Sequence, residues 1–143
     1  MNIDEMPAGR EMDALISEAL GFEPEISWEV LSPDEKATAF SANHKRDAEA
    51  FLSEHLKRFP DSWLKDYHVG PWKHYKPYST DWAAAGVVIE RLKGLFYQVE
   101  VSLFKDSVNV IIWKDDITPI VSADADKTAP LAICRAALKA VTP

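Results

Sequence analysis

Lys76-Pro77-Tyr78-Ser79-Thr80-Asp81-Trp82-Ala83-Ala84-Ala85-Gly86-Val87-Val88-Ile89-Glu90-Arg91-Leu92-Lys93-Gly94 is the stretch in which the chain turns from loop-rich and aromatic to regularly patterned. Ala84, Val87, Val88 and Leu92 recur at the spacing of one helix face. Ser79, Thr80 and Asp81 are the residue types that cap a helix start, because their side-chain oxygens accept from its unpaired N–H groups. Gly94 is placed to stop the helix.

Downstream, Leu95 to Phe104 alternates apolar and polar residues, which predicts a strand. Lys105-Asp106 makes a tight reversal into a return strand over Ser107 to Trp113. A third run, Ile117 to Val121, contains Pro119, which has no N–H for a ladder and so belongs at an edge, at a bulge or at an interruption. Connections this short make the sheet antiparallel. A last helix runs from Leu131 to about Val141, with Leu131, Cys134, Leu138 and Val141 as its buried seam and alanines that allow close packing.

Upstream, Pro7 to Phe22 predicts a first helix with Met12, Leu15, Ile16, Ala19 and Leu20 on one stripe, ended by Gly21. Ile26, Trp28 and Val30 alternate as in a short strand. Ser32-Pro33-Asp34-Glu35 has the form of a capping box and predicts a short helix. Ala48, Phe51, Leu52, His55, Leu56 and Phe59 predict an amphipathic helix of about four turns, ended by Pro60-Asp61. His55 lies on its apolar stripe and reads as a packed residue. Residues 62–80 read as a long aromatic loop. The whole predicts an α+β fold, an antiparallel sheet flanked by helices.

The 143 residues fit one domain, 1–143, with 47% hydrophobic and 27% charged residues, values of an ordinary folded chain. The formal charge of -7, from 23 acidic and 16 basic residues, disfavours a nucleic-acid polymer as partner, since such binding needs a basic face. No apolar run reaches the roughly 20 residues that span a bilayer, so no membrane partner is expected. The acidic start Met1 to Met6 lacks a signal-like apolar core, and the single Cys134 suits a reducing compartment, so the expected location is the cytoplasm. Cys134, between apolar neighbours, reads as a core thiol.

Sites for chemistry are sparse. There is no HExxH, no cysteine pair and no G-x-S-x-G elbow, and the five glycines are isolated. Asp115-Asp116 and Asp124/Asp126 sit in turn-like sequence, where aspartate serves local hydrogen bonds. Neither a metal, a cofactor nor an enzyme activity is expected. Binding residues are better represented. Trp63, Tyr67, Trp72, Tyr75 and Tyr78 interleave with lysines and histidines, including Lys76. They suit either a planar anionic ligand or the covering of a sheet. The helix starts at Ser79-Thr80, with Asp81, and at Asp126-Lys127-Thr128 suit either capping or an anion. Trp82, Trp113 and Arg135 complete the candidate ligand set. Arg135 either snorkels along the last helix or turns its fork to an anion or an internal carboxylate.

Three motifs resemble the phage ABA sandwich domain, a family of small phage and prophage proteins. They are Met6-Pro7-Ala8-Gly9-Arg10-Glu11-Met12-Asp13, Pro77 to Asp81 with Ala83 to Ala85 and Val87, and Thr128 to Leu138. The resemblance implies an α/β/α sandwich and assigns no general enzyme activity. It does not extend over residues 27–71, which read as an expanded region special to this chain. Gly86, where the family often has a tryptophan, and Lys127, within what is often Ala-Asp-Thr, are smaller departures. In size, phage origin and helix-flanked sheet the chain is also similar to phage sponges that sequester cyclic ADP-ribose-type signals of bacterial immunity, such as those acting on Thoeris. That similarity implies a non-catalytic, homo-oligomeric binder of a nucleotide-derived ligand. The other expectation is a module that inhibits a host defence or regulatory protein, with Ser27 to Pro71 as its partner surface.

Overall fold

Ten consecutive residues of the last helix, Ala129 to Leu138, are buried. An amphipathic helix shows one face to water, so a helix buried on every side lies between two layers. The computed structural model of the chain describes residues 2–114, 118–125 and 128–142. Its elements in order are a 3-10 turn (Ile3–Glu5), α1 (Arg10–Leu20), β1 (Glu25–Leu31), β2 (Thr38–Ala42), α2 (Lys45–Arg58), β3 (His68–His74), α3 (Trp82–Gly94), β4 (Tyr97–Leu103), β5 (Ser107–Lys114), β6 (Thr118–Ala125) and α4 (Ala129–Val141). They form two units, one of Met1–Glu23 with Tyr75–Pro143 and one of Pro24–His74.

In the first unit β4, β5 and β6 make an antiparallel sheet in that spatial order. Alternation decides its faces. Val108, Val110 and Ile112 of β5 are buried in one core with Tyr97, Val99 and Val101 of β4, while Ile111 and Trp113 turn the other way and are half-buried. α4 covers the Val110 side together with α3, and α1 packs on α4 and α3 with Met12, Ile16 and Leu20 inside. The seam expected along α4 is therefore too narrow, because Ala132, Ala136 and Ala137 are as buried as Leu131 and Cys134.

Three segments distant in sequence are tied together in this core. Asp13 is 6% exposed, and its carboxylate accepts from Ser79 N–H at 2.8 Å and Ser79 Oγ at 2.7 Å. Ser79 Oγ in turn accepts from Gly9 N–H at 2.9 Å. Gly9 sits at φ 142°, a conformation open to glycine and strained for other residues. Arg135, 4% exposed, donates from Nη2 to the Met6 carbonyl at 2.8 Å. Tyr78 stacks on Phe22 at 5.1 Å, and Arg91 closes the far end of α1 by donating to the Leu20 carbonyl at 2.9 Å. Gly21 takes φ 72° as the left-handed cap expected of it. α3 ends at Gly94, as expected, but Gly94 is its last helical residue and not a left-handed cap: the left-handed residue is Phe96 at φ 69°, two positions on.

The second unit has its own antiparallel sheet, ordered β2-β1-β3, so the one sheet of the sequence reading is two. α2 packs on it, with Phe51 stacked on Phe40 at 4.2 Å and Lys45 over the Trp28 ring. Residues 32–37 are a hairpin turn and not a helix start. Ser32 Oγ bonds Asp34, Ser32 N–H donates to the Ala37 carbonyl, and Glu35 at φ 60° breaks any helical path. The hydrogen bonds from Ser32 and from Lys36 N–H hold the Asp34 carboxyl below its ordinary value. The aromatic loop expected over 62–80 contains β3, an edge strand that tolerates Pro71 because one side of an edge needs no N–H.

The buried Asp13 carboxylate yields a direct test. Asp13→Ala leaves Ser79 N–H without its acceptor and is expected to lower unfolding free energy by about 3 kcal/mol. Ser79→Ala is expected to cost about half of that. Urea unfolding monitored by tryptophan fluorescence reads both, and a change below about 1 kcal/mol for Asp13→Ala would show that the tie is not structural.

Candidate functional site

A site needs side chains that the fold leaves available, and the second unit offers such a set at the end of α2. α2 buries only Ala48 fully, so Phe51, Leu52, His55 and Leu56 remain half-open along its inner face. His55, Lys57 and Arg58 fall in its last turn, where cations meet the partial negative charge of the helix end. Phe59 is the C-cap, and Pro60 prevents continuation.

The chain then folds back through Ser62. Ser62 N–H donates to the Phe59 carbonyl at 3.0 Å, Ser62 Oγ accepts from Leu64 N–H at 3.0 Å, and it meets His55 Nε2 at 2.8 Å. Leu64, 2% exposed, anchors the turn. Trp63 packs edge-on against Tyr67 at 5.4 Å. Phe59 is nevertheless 58% and Trp63 69% exposed. They border a depression of about 620 Å3, walled by His55, Arg58, Pro60, Asp61 and Ser62. A second depression of about 330 Å3 shares His55, Arg58 and Phe59 and runs on to Phe51 and Glu54. Taken together as the α2 trough, the two depressions present aromatic surface, one guanidinium, a serine hydroxyl and the carboxylates of Glu54 and Asp61. His55 is packed between Phe51 and Phe59, as its place on the stripe implies, and it also pins the turn.

The expected ligand residues are distributed differently. Tyr78 and Ser79 are buried in the tie to Phe22 and Asp13. Asp81 caps α3 by accepting from Ala84 N–H at 2.9 Å. Lys76, Thr80 and Trp82 are exposed at the same helix start, and Tyr75 lies half-buried under Arg10 at 5.0 Å. Trp113 stands on the sheet face away from the helices, opposite Gln98 and Pro119 in register. Thr128 is exposed at the start of α4 with no side-chain capping bond. Arg135 is turned inward to Met6. Trp72 is half-buried on β3 in the second unit. Lys127, Asp115, Asp116 and Asp126 lie outside the described residues.

Sequence reasoning passed over the trough because Phe59 and His55 count as stripe residues of α2. The usable signal was Phe59-Pro60-Asp61-Ser62-Trp63, two large aromatics on either side of a proline turn. Another cluster also formed unforeseen. Glu29, 5% exposed, accepts from Ser27 Oγ at 2.6 Å and Ser41 Oγ at 2.8 Å, and Ser27 Oγ meets His74 Nε2 at 2.7 Å. A nucleophile relay places histidine between hydroxyl and carboxylate. Here the hydroxyl is in the middle and donates its hydrogen bond to Glu29, so the cluster satisfies a buried carboxylate and does not activate Ser27.

Burial raises the Cys134 thiol far above its ordinary value, and the nearby Asp13 carboxylate adds to this. Tyr78 is raised by burial first and by Asp13 and Cys134 after it. Neither is a nucleophile at neutral pH.

The profile of the phage ABA sandwich domain matches residues 56–138. It covers the trough turn, β3, α3, the β4-β5-β6 sheet and most of α4. It takes in residues 56–71 of the segment read as special to this chain and leaves out the Met6 to Asp13 motif. No curated protein and no solved structure matches the chain. No helix among the described residues is long and apolar enough to cross a membrane.

The two raised acids set an alkaline limit. Each has a folded-state pKa above its unfolded value of 9.0 for Cys134 and 10.0 for Tyr78, so the fold favours their protonated forms. Their contribution is fully present below about pH 9 and is lost as pH rises. Melting temperature is expected to be level from pH 7 to 8.5 and to fall steadily above pH 9, less steeply in Cys134→Ala. A melting temperature unchanged up to pH 11 would contradict the burial of both groups.

Proposed function

Since the chain belongs to the phage ABA sandwich domain family, we propose that it is a phage protein that acts by binding, without catalysis, and inhibits a host defence or regulatory protein through the α2 trough. The observation that carries this reading is the exposure of Phe59 and Trp63 at either side of one concave surface. Solvent-exposed aromatics beside an arginine are the residues that dominate protein interfaces when a partner buries them. Asp61, Glu54 and Arg58 give the trough a polar rim. Inhibition by occupancy needs no reacting group, only an accessible and well-held surface, and the Ser62 turn holds this one.

A second reading keeps the sequestration of a nucleotide-derived signal. It is favoured by the exposed Trp82, Lys76 and Thr80 at the start of α3, a stacking surface next to a cation and a hydroxyl.

The two readings part on one pair of variants. Trp63→Ala and Phe59→Ala are expected to weaken capture of a purified host target about 30-fold or more, with melting temperature unchanged because both side chains are largely exposed. Trp82→Ala is expected to leave that capture intact. Equal capture by all three variants would overturn the trough as the working surface. Mass spectrometry of small molecules released on heating, lost in Trp82→Ala alone, would establish the second reading instead.

A further inference from the structure

Each edge of a sheet presents unpaired N–H and C=O groups, and folded proteins blunt such edges. Three of the four edges described in this chain are blunted. β6 carries Pro119, β3 carries Pro71, and β2 has five residues and a register shift beside it. The fourth, β4, has seven residues, no proline, no lysine and Glu100 as its one charge. Its backbone direction follows from the hairpin. Phe104 N–H donates to the Ser107 carbonyl at 2.9 Å, in the same register that pairs Tyr97 with Lys114. Gln98, Glu100 and Ser102 therefore turn their backbone groups to β5, while Tyr97, Val99, Val101 and Leu103 turn theirs outward.

Both ends of this open strand are apolar and exposed. Leu103 and Phe104 are 62% and 58% exposed, and Phe96 is 89% exposed. Phe96 also holds a left-handed conformation that glycine adopts more readily, so neither packing nor local geometry accounts for a phenylalanine there.

We propose that β4 is a self-pairing edge and that its partner is β4 of a second copy of this chain, joined antiparallel about a two-fold axis at Val99. The sequence of the strand is complementary to itself in this register. Val99 meets Val99, Tyr97 meets Val101, and the outward backbone groups of both strands pair. Gln98 falls opposite Glu100 of the second copy at the closer, non-hydrogen-bonded spacing, so an amide faces each carboxylate. Shifting the axis to Glu100 would set the two carboxylates against each other. Shifting it to Val101 would set Phe96 against Asp106. The Val99 register instead brings the Leu95-Phe96 end of one chain to the Leu103-Phe104 end of the other. Two three-stranded sheets become one of six strands.

Sedimentation equilibrium of the full chain tests the pairing. The wild type is expected to be a reversible dimer. Gln98→Glu, which places like charges opposite each other twice, is expected to weaken the dimer about fivefold or more, and Gln98→Lys to tighten it by a similar factor. Gln98 is exposed, so circular dichroism and melting of the monomer should not change in either variant. A wild type of one-chain mass at every concentration would overturn the proposal. A dimer indifferent to both substitutions would overturn it as well.

Discussion

The carboxylate of Asp13 is the constraint on which the larger unit depends. A charge out of water is costly unless donors surround it, and here they come from Ser79, across 66 residues of chain. The bond can form only when α1 lies against the segment that starts α3, and the Gly9 N–H meets the same hydroxyl. Arg135 adds the third party by reaching the Met6 carbonyl from inside the core. The polar ties fix which segments meet, and the apolar burial of α4 between sheet and helices supplies the bulk of the stabilisation.

The same ties reassign the sequence motifs. Met6 to Asp13, Pro77 to Asp81 and Thr128 to Leu138 hold one another, so their most polar members are engaged within the protein. Ser79 Oγ donates to Asp13, Asp81 is occupied with Ala84 N–H, and Tyr78 lies against Phe22. Groups satisfied in this way have little to offer a ligand. Surface aromatic groups carry the binding reading instead: Phe59 and Trp63 are 58% and 69% exposed, beside 54% for Trp82.

What the sequence disclosed follows the strength of periodic signals. β4 and β5 alternate cleanly, the reversal at Lys105-Asp106 is tight, and Gly21 ends α1, so these were legible. β2 and β3 were not, because Thr38 to Ala42 is short and Gly70-Pro71 breaks the pattern of an edge strand that tertiary pairing rescues. Ser32-Pro33-Asp34-Glu35 misled because the same side-chain bonds that cap helices also close turns. Among site residues, Asp81 as a cap was readable from local sequence. The inward turn of Arg135 and the burial of Asp13 were not, since both rest on contacts between segments far apart in the chain. Phe96 was hidden by Gly94, the better left-handed residue, which is instead the last helical residue of α3.

Phe96 and Trp63 are both exposed, each within its own unit. Trp63 belongs to the unit of Pro24–His74, whose sheet edges are blunted by Pro71 and by the shortness of β2, and its apolar groups gather at the end of a helix. Phe96 belongs to the other unit, where the apolar groups flank an open strand. A helix-end trough offers side chains and takes a partner by shape. An open strand offers backbone groups and takes another strand in a fixed register. The first selects by what fills it and the second by which side chains fall opposite each other, which in the pairing proposed for β4 are Gln98 and Glu100. The binding proposed for the trough and the pairing proposed for β4 therefore use no common residue and answer to different physical terms, one to buried aromatic area and the other to cross-strand complementarity.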